Sequence, residues 1–254
     1  MIGFAAMPRN ALLALPRLTR AALVALLLLC WGWCVVKAEP LVFYGSSSGA
    51  QTLDEGEGGG NPFASAFIEI LNAPSVGLGE LPGKLARITH HKSGGFQVVD
   101  VPGIERNSSW KLVPRVEGEQ RIALVLVVSD YVKAHGAQSL PGAKRDAERV
   151  TKALHAAGFT TEIVLDGDLP LMKRKLAEFA RRSETKDAAI IYTTGHGVEV
   201  DGRVFLLPGD YPVPEGSAAL STHALQIADI AKSARARSVS LVFYGGCRDD
   251  PFKK

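Results

Sequence analysis

Apolar residues in the second half of the chain form short continuous runs that alternate with stretches of helical periodicity. Runs rich in β-branched and aromatic residues predict buried strands at Arg121 to Val128, Thr161 to Val164, Ala188 to Thr194 and Val239 to Tyr244. Between them, apolar residues at helical spacing predict helices that open near Gly142 and Pro170, and a third from about Leu225 to Ala234. This alternation predicts an α/β fold with a mainly parallel sheet and helices on both faces.

Two of the predicted strands end at reactive side chains that are flanked by glycine. One runs into Gly195-His196-Gly197, and the other runs into Gly245-Gly246-Cys247. Glycine allows close approach to the neighbouring side chain, and strand ends of an open α/β sheet are where such folds carry their chemistry. A free cysteine alone is usually a small core residue. If the two strands are adjacent and parallel, however, His196 and Cys247 lie side by side, as a nucleophile and its acid/base require.

Four blocks of sequence carry a family resemblance. YTTGHGVEVDGRVFLLPGDYP resembles the histidine block of the caspase and metacaspase superfamily, with a hairpin at Asp201-Gly202, and LVFYGGCRDDPF is similar to the cysteine block of bacterial members. RIALVLVVSDY resembles the first strand, and LPGAKRDAERVTKALHAAGFTTEIVLDGD resembles the following helix and strand. The resemblance covers about Arg121 to Phe252 and implies a caspase-like three-layer sandwich.

The resemblance implies a thiol protease that hydrolyses peptide bonds in peptides or proteins. Cys247 would be the nucleophile and His196 the acid/base. The backbone N–H groups of Gly197 and Cys247 would bind the oxyanion. No cofactor and no metal site are expected, and nothing in the sequence indicates activation by calcium.

Substrate selection is expected to depend on a pocket beside the cysteine. In metacaspase-like members, two aspartates select Arg or Lys before the cleaved bond. The first matches Asp146, but the second position is Gly245 here, so one acidic wall is absent. Asp146 has a second interpretation as a first-turn acid that favours the helix dipole, and both stay open. Thr194 stands where many members have serine and is expected to line the pocket.

Residues 39–106 contain a second copy of the motif that precedes the cysteine. Leu41 to Gly45 repeats Leu241 to Gly245, and YGSSSGAQTLDEGEGGGNPFASAFIEILNAP is similar to the small-subunit segment that normally follows the cysteine strand in the superfamily. Its position in front predicts a circular permutation, with a strand at Glu39 to Tyr44 beside the sheet. The expected peptide-binding edge comprises Tyr44, Ser46, Ser47 and Ser48. A degenerate duplication and a separate, poorly packed amino-terminal region are the alternatives.

The same segment is expected to turn at Asn61-Pro62-Phe63 and to form helices over Ala64 to Leu71 and Leu78 to Thr89. Two other stretches are expected to have no regular structure of their own. The acidic, glycine-rich run over residues 54–60 predicts a flexible, solvated loop. Residues 107–120 are polar, contain proline and glycine, and predict a linker. The catalytic domain is then expected over residues 121–254.

Residues 1–38 have the pattern of a secretory signal peptide. Three arginines precede an apolar run, and Val36-Lys37-Ala38 supplies small residues for cleavage. The protein is therefore expected to be exported to the periplasm or the exterior, with Cys247 as its remaining cysteine. The alternative is an uncleaved anchor, and membrane contact is expected only in that case. The formal charge of +3 includes the arginines of this segment, so no nucleic-acid partner is indicated.

A different functional class remains open beside the peptidase. A pseudoenzyme that binds peptides without cleaving them is favoured by Gly245 and by the unusual segment order. The glycine settings of His196 and Cys247 argue against it, because a binding module needs neither side chain.

Overall fold

A five-stranded parallel sheet forms the centre of the computed structural model, which describes residues 39–103, 108–134 and 137–253. The predicted signal peptide, with Cys30 and Cys34, lies outside the described residues. The strands of the described ranges are β1 Leu41–Tyr44, β2 Val76–Gly77, β3 Lys111–Val113, β4 Arg121–Val127, β5 Thr160–Leu165, β6 Ala188–Thr194, β7 Gly197–Val200, β8 Arg203–Leu206, β9 Leu225–Gln226 and β10 Val239–Tyr244. The central sheet has the order β1-β10-β6-β4-β5.

The inner strands of this sheet are covered on both faces. Every residue of β4, β6 and β10 is buried, which explains why these segments are continuous apolar runs. Side chains of β4 alternate between two cores: Ala123, Val125 and Val127 belong to one, and Ile122, Leu124 and Leu126 to the other.

Helices cover the two faces of the sheet and complete three layers. They are α1 Pro62–Leu71, α2 Leu81–Lys92, α3 Pro141–Ala156, α4 Leu169–Ser183, α5 Leu220–His223 and α6 Ile227–Ala231. The first three pack in one core and the last three in the other. The predicted α/β architecture, a mainly parallel sheet with helices on both sides, is confirmed. None of the described helices is long and apolar enough to cross a membrane.

A small antiparallel sheet, β7-β8-β9, leads away from the end of β6. Asp201 and Gly202 turn its first hairpin with φ values of 50° and 71°, as the sequence predicts. The helix predicted from Leu225 to Ala234 is wrong in extent, because Leu225 and Gln226 pair with β8. Only residues 227–231 are helical there.

Residues 39–103 pack against the same central sheet. β1 pairs with β10 in parallel, and α1 buries eight of its ten residues. Asn61 caps α1 through a side chain that accepts the Phe63 N–H at 2.8 Å. A separate, poorly packed region is therefore excluded for these residues.

The predicted linker is only partly a linker. Lys111–Val113 forms β3 and pairs with β2, and Leu112 and Val113 are buried. Asn107 lies outside the described residues.

Candidate active site

His196 and Cys247 follow neighbouring strands at one edge of the sheet. β10 pairs with β6 in parallel, and Tyr244 lies opposite Thr193 at the end of the register. His196 follows β6 after Gly195, and Cys247 follows β10 after two glycines. The sheet therefore brings the two loops together. The predicted arrangement of the two strands is confirmed.

The glycines of the two loops are required by a buried tyrosine. A β-carbon on Gly197 would lie 1.5 Å from Tyr244 Oη and 2.8 Å from Cys247 O. A β-carbon on Gly246 would lie 2.4 Å from the same hydroxyl and 2.7 Å from Gly195 O. Tyr244 Oη donates to Cys247 O at 3.1 Å. The tyrosine thus fills the space between the loops, a cause that the sequence pattern around the glycines does not reveal.

A backbone carbonyl orients the His196 ring. His196 Nε2 lies 2.7 Å from Gln138 O, and because a carbonyl only accepts, Nε2 carries the proton of this bond. Nδ1 is then the nitrogen that is left to accept a proton in the neutral ring. Gln138 acts through its main chain, so no side-chain pattern in the sequence could have identified it.

Tyr131 holds His196 from a second side. Its Oη accepts the His196 backbone N–H at 2.7 Å and donates to Leu207 O at 2.9 Å. Its ring meets the imidazole edge-on, with 4.4 Å between centroids. Burial raises the pKa of Tyr131 far above its usual value, so the hydroxyl stays protonated. The sequence analysis missed this residue, although its place just after β4 puts it at the same edge of the sheet.

The Cys247 thiol is half-buried and takes its hydrogen bonds from the amino-terminal part of the chain. Thr52 N–H donates to Sγ at 3.3 Å, and Thr52 Oγ1 lies 3.5 Å from Sγ. Among the described residues, no hydrogen bond joins Sγ to the His196 ring, and none is donated by the Cys247 backbone N–H. That N–H is consequently available to an oxyanion, as the resemblance implies.

Gly245 lies beside one predicted pocket residue and binds two residues of the amino-terminal segment. Its carbonyl accepts from Asn61 Nδ2 at 3.0 Å and from Thr52 Oγ1 at 3.2 Å. A β-carbon on Gly245 would lie 3.1 Å from Thr194 Oγ1. Thr194 therefore lies beside Gly245, and its contact with a substrate stays a prediction.

Asp146 is fully buried and already has partners. Its carboxyl accepts the Asn61 N–H at 2.8 Å and Arg149 Nη1 at 2.9 Å. Burial raises the pKa of Asp146 to about 7, although the bond from Asn61 and the charge of Arg149 lower it. Gly60 closes the space above it, since a β-carbon there would lie 2.0 Å from Asp146 Oδ1. Selection of a basic side chain by Asp146 stays a prediction, and it requires this cover to move.

The interpretation of Asp146 as a first-turn acid is wrong. The first turn of α3 contains no acidic residue. Asp54 caps this helix instead, because its carboxylate accepts Gly142 N–H at 2.8 Å and Ala143 N–H at 2.9 Å. The acidic run that was expected to form a flexible, solvated loop is therefore fastened to α3.

The edge predicted to receive a peptide is not open. Tyr44 N–H and O are both paired with Asp100. Ser46, Ser47 and Ser48 form a turn in which Ser46 O accepts from Arg248 at 3.1 Å. Ser48 Oγ donates to Glu199 at 2.8 Å. These bonds replace the strand edge on which the expectation depended, and substrate binding by these residues stays a prediction.

Arg248 ties this turn to the cysteine loop. It is buried and forms ion pairs with Asp100 and Glu199, both at 2.8 Å. Its guanidinium also lies 4.3 Å from the centre of the Tyr44 ring. The residue after the thiol is thereby fixed between β1 and β7. No group of three His, Cys, Asp or Glu residues within the described ranges is arranged to hold a metal ion.

The stretch that contains both strand ends also matches a known family. Residues 120–254 match the caspase domain of the peptidase C14 family, and this stretch is more than half of the chain. The chain belongs to the caspase domain family. This is a family of proteases, and the caspase domain of this chain includes His196, Cys247, Tyr131 and Gln138. Thr52, Asn61 and Asp54 precede the match. No curated protein matches the chain.

Proposed function

We propose that the protein is a cysteine endopeptidase that uses Cys247 as nucleophile and His196 as acid/base. The observation that carries this proposal is the orientation of the His196 ring. Gln138 O binds Nε2, which leaves Nδ1 as the available nitrogen. The ring follows β6, and β6 pairs with β10, the strand that precedes Cys247. A protein that only binds peptides has no use for an imidazole oriented in this way.

The proposed reaction proceeds through an acyl-enzyme. His196 Nδ1 takes the proton of the Cys247 thiol, and the resulting thiolate attacks the peptide carbonyl carbon. The oxyanion is bound by the backbone N–H groups of Gly197 and Cys247. The C–N bond breaks as His196 delivers a proton to the leaving amine. Water then attacks the thioester with His196 as base, which releases the carboxylate product and restores the thiol.

We further propose that residues 39–103 complete the caspase domain from the amino-terminal side. β1 extends the sheet next to β10, and the residues after it reach Gly245 and Cys247 through Thr52 and Asn61. A segment that supplies both an edge strand and contacts to the nucleophile takes the place that the small-subunit segment has in the superfamily.

A preference for Arg or Lys would depend on Asp146 alone. Gly245 contributes no carboxylate, and Asp146 is engaged by Arg149 and Asn61. If Asp146 selects the substrate, the Gly58 to Asn61 turn must move when the substrate binds.

Hydrolysis of a fluorogenic peptide library tests the proposed function. The library should include Arg, Lys and Asp before the cleaved bond, and the protein should be compared with Cys247→Ala. We expect turnover by the protein and none by the variant. Peptide binding by both proteins without turnover by either would instead support the pseudoenzyme.

A further inference from the structure

We propose that Thr52 is a third residue of the catalytic site, which donates hydrogen bonds to the Cys247 sulfur and stabilises the thiolate. This inference rests on the proposed function. It also goes beyond that function, because Thr52 lies outside the matched caspase domain and has no part in the expected dyad.

The contacts of Thr52 suit both forms of the sulfur. The backbone N–H, 3.3 Å from Sγ, is a permanent donor. The hydroxyl lies 3.5 Å from Sγ and donates to Gly245 O at 3.2 Å. While the thiol is protonated, S–H donates to Thr52 O at 3.9 Å or to Oγ1. Once it has ionised, the hydroxyl proton turns to the sulfur, since a thiolate is the stronger acceptor.

This change of partner leaves no buried carbonyl without a donor. Gly245 O also accepts from Asn61 Nδ2 at 3.0 Å, and that bond remains when Thr52 turns away. The movement of one hydroxyl proton therefore has a small cost in hydrogen bonds and adds a second donor to the charged sulfur.

The position of Thr52 is fixed by bonds on both sides. Leu53 N–H donates to Gln97 Oε1 at 3.2 Å, and the buried Gln97 also binds Gly45 O at 2.9 Å. Asp54 caps α3, and Gln51 Nε2 donates to Asp249 at 2.7 Å. Three close neighbours in sequence are thus attached to three different parts of the fold, which indicates that the contact with Sγ is a built feature.

Thr52 and His196 would then have separate tasks. The His196 ring makes no hydrogen bond to Sγ within the described residues. Thr52 would hold the ionised sulfur, and His196 Nδ1 would hold the proton taken from the thiol until it passes to the leaving amine.

Alkylation of Cys247 by iodoacetamide tests the inference without any substrate. The rate should be measured at about pH 6.5, below the usual pKa of a free thiol of about 8.5, and at about pH 10, above it. Thr52→Val keeps the shape and the N–H but removes the hydroxyl. The loss of one hydrogen bond to a charged group lowers the amount of thiolate about tenfold, and the less stabilised thiolate is about threefold more nucleophilic. We therefore expect the rate to fall about threefold at the lower pH and not to fall at the higher pH.

Two variants control this experiment. Thr52→Ser restores the hydroxyl and is expected to restore the wild-type rate. Thr151→Val makes the same chemical change on α3, where the hydroxyl binds Ala147 O, and is expected to alter neither rate. Thr52→Ala repeats the test without a methyl group against the sulfur, should the valine variant not fold.

Two results would overturn the inference. An unchanged rate of Thr52→Val at the lower pH would show that the hydroxyl does not stabilise the thiolate. A faster rate at both pH values would show that Thr52 shields the thiol instead. Failure of the proposed function is separate, because a Thr52-dependent thiol in a protein that cleaves no library peptide would contradict the peptidase alone.

Discussion

The pentapeptide Leu-Val-Phe-Tyr-Gly occurs twice in this chain, and its two copies lie side by side. β1 and β10 pair residue for residue, from Leu41 opposite Leu241 to Tyr44 opposite Tyr244. Phe43 stacks on Phe243 with 4.8 Å between ring centroids. Yet every residue of β10 is buried, whereas only Phe43 is fully buried in β1. Identical residues thus differ in environment because β10 has a strand on each side and β1 lies at the edge.

The copies also differ in the residues that come after them, and the proposed chemistry begins there. Three serines after Gly45 make a turn, whereas Gly246 and Cys247 follow Gly245. Gly45 O binds the buried Gln97 amide, and Gly245 O binds Asn61 and Thr52. The comparison shows that a repeated strand serves as scaffold in both places and that its function depends on the residues at its end.

The largest losses of stability are expected for the phenylalanines of the two copies. Phe243 contacts the rings of Phe43, Phe63 and Phe67, the last at 4.0 Å between centroids. Within the described part of the chain, Phe43 stacks on Phe243 alone. Phe243→Ala should lower the free energy of unfolding by about 4–5 kcal/mol and Phe43→Ala by about 3 kcal/mol. Urea denaturation measures both, and equal losses would show that the edge copy is packed as tightly as the inner one.

The stability of the protein is expected to depend on pH through Asp146, which Asn61 connects to the second copy. Asn61 donates to both the Asp146 carboxyl and Gly245 O. Asp146 has a pKa of about 7 in the folded protein, raised by burial from 3.8. Between these values the folded protein retains a proton that the unfolded chain has lost, so stability falls as pH rises through this window. The fall is at most about 4 kcal/mol.

Asp146→Asn isolates this effect. Other carboxyls act in the opposite direction: the hydrogen bond from Lys175 lowers the pKa of Glu162, and the stability from that bond is lost as pH falls. The free energy of unfolding should therefore be measured against pH for the protein and for the variant. The difference between the two profiles should contain the Asp146 contribution. Parallel profiles would contradict the raised pKa.

If the residues that follow the two copies are exchanged, we expect a larger loss of stability after the second copy than after the first. Gly246→Ser would place its β-carbon 2.4 Å from Tyr244 Oη, and we expect a loss of about 1–3 kcal/mol from overpacking. The reverse change, Ser46→Gly, removes one hydrogen bond to Ala50 O and should cost no more than about 1 kcal/mol. Thermal unfolding compares the two, and a tolerated serine at position 246 would mean that the tyrosine does not fix the loop.

The smallest losses of stability are expected for the two tyrosine hydroxyls. Tyr244 Oη is buried and donates to Cys247 O, so Tyr244→Phe should cost about 1–2 kcal/mol. Tyr44 Oη donates no hydrogen bond within the described residues, and Tyr44→Phe should stay within about 0.5 kcal/mol. Equal effects in denaturation experiments would remove the distinction between the two copies.

The sequence predicts the sheet well because its strands are long apolar runs bounded by glycine and polar residues. It also predicts His196 and Cys247 at neighbouring strand ends, since parallel strands bring their carboxyl ends to one edge. It does not reveal Thr52 or Gln138. Both reach the site from loops distant in sequence, and Gln138 acts through a backbone carbonyl that every residue has.

The strand edge at Tyr44, which was expected to be open to a peptide, is closed for a related reason. The pattern identifies β1 as an edge strand, but it does not show that the segment around Asp100 returns to pair with it. In the same way, an acidic run does not reveal that Asp54 caps a helix more than 80 residues later in the chain. Local patterns predicted the elements, and long-range hydrogen bonds decided which of their surfaces remain open.

Covalent trapping with a peptidyl acyloxymethyl ketone tests the central claim most directly. The reagent carries the best library sequence, and intact-mass measurement with peptide mapping locates the adduct. The account predicts one adduct per chain on Cys247, formed much more slowly in His196→Ala and at an undiminished rate in a remote control such as Thr151→Val. No adduct on Cys247 of the folded protein, or an adduct formed equally fast without His196, would contradict a cysteine peptidase built on these two strand ends.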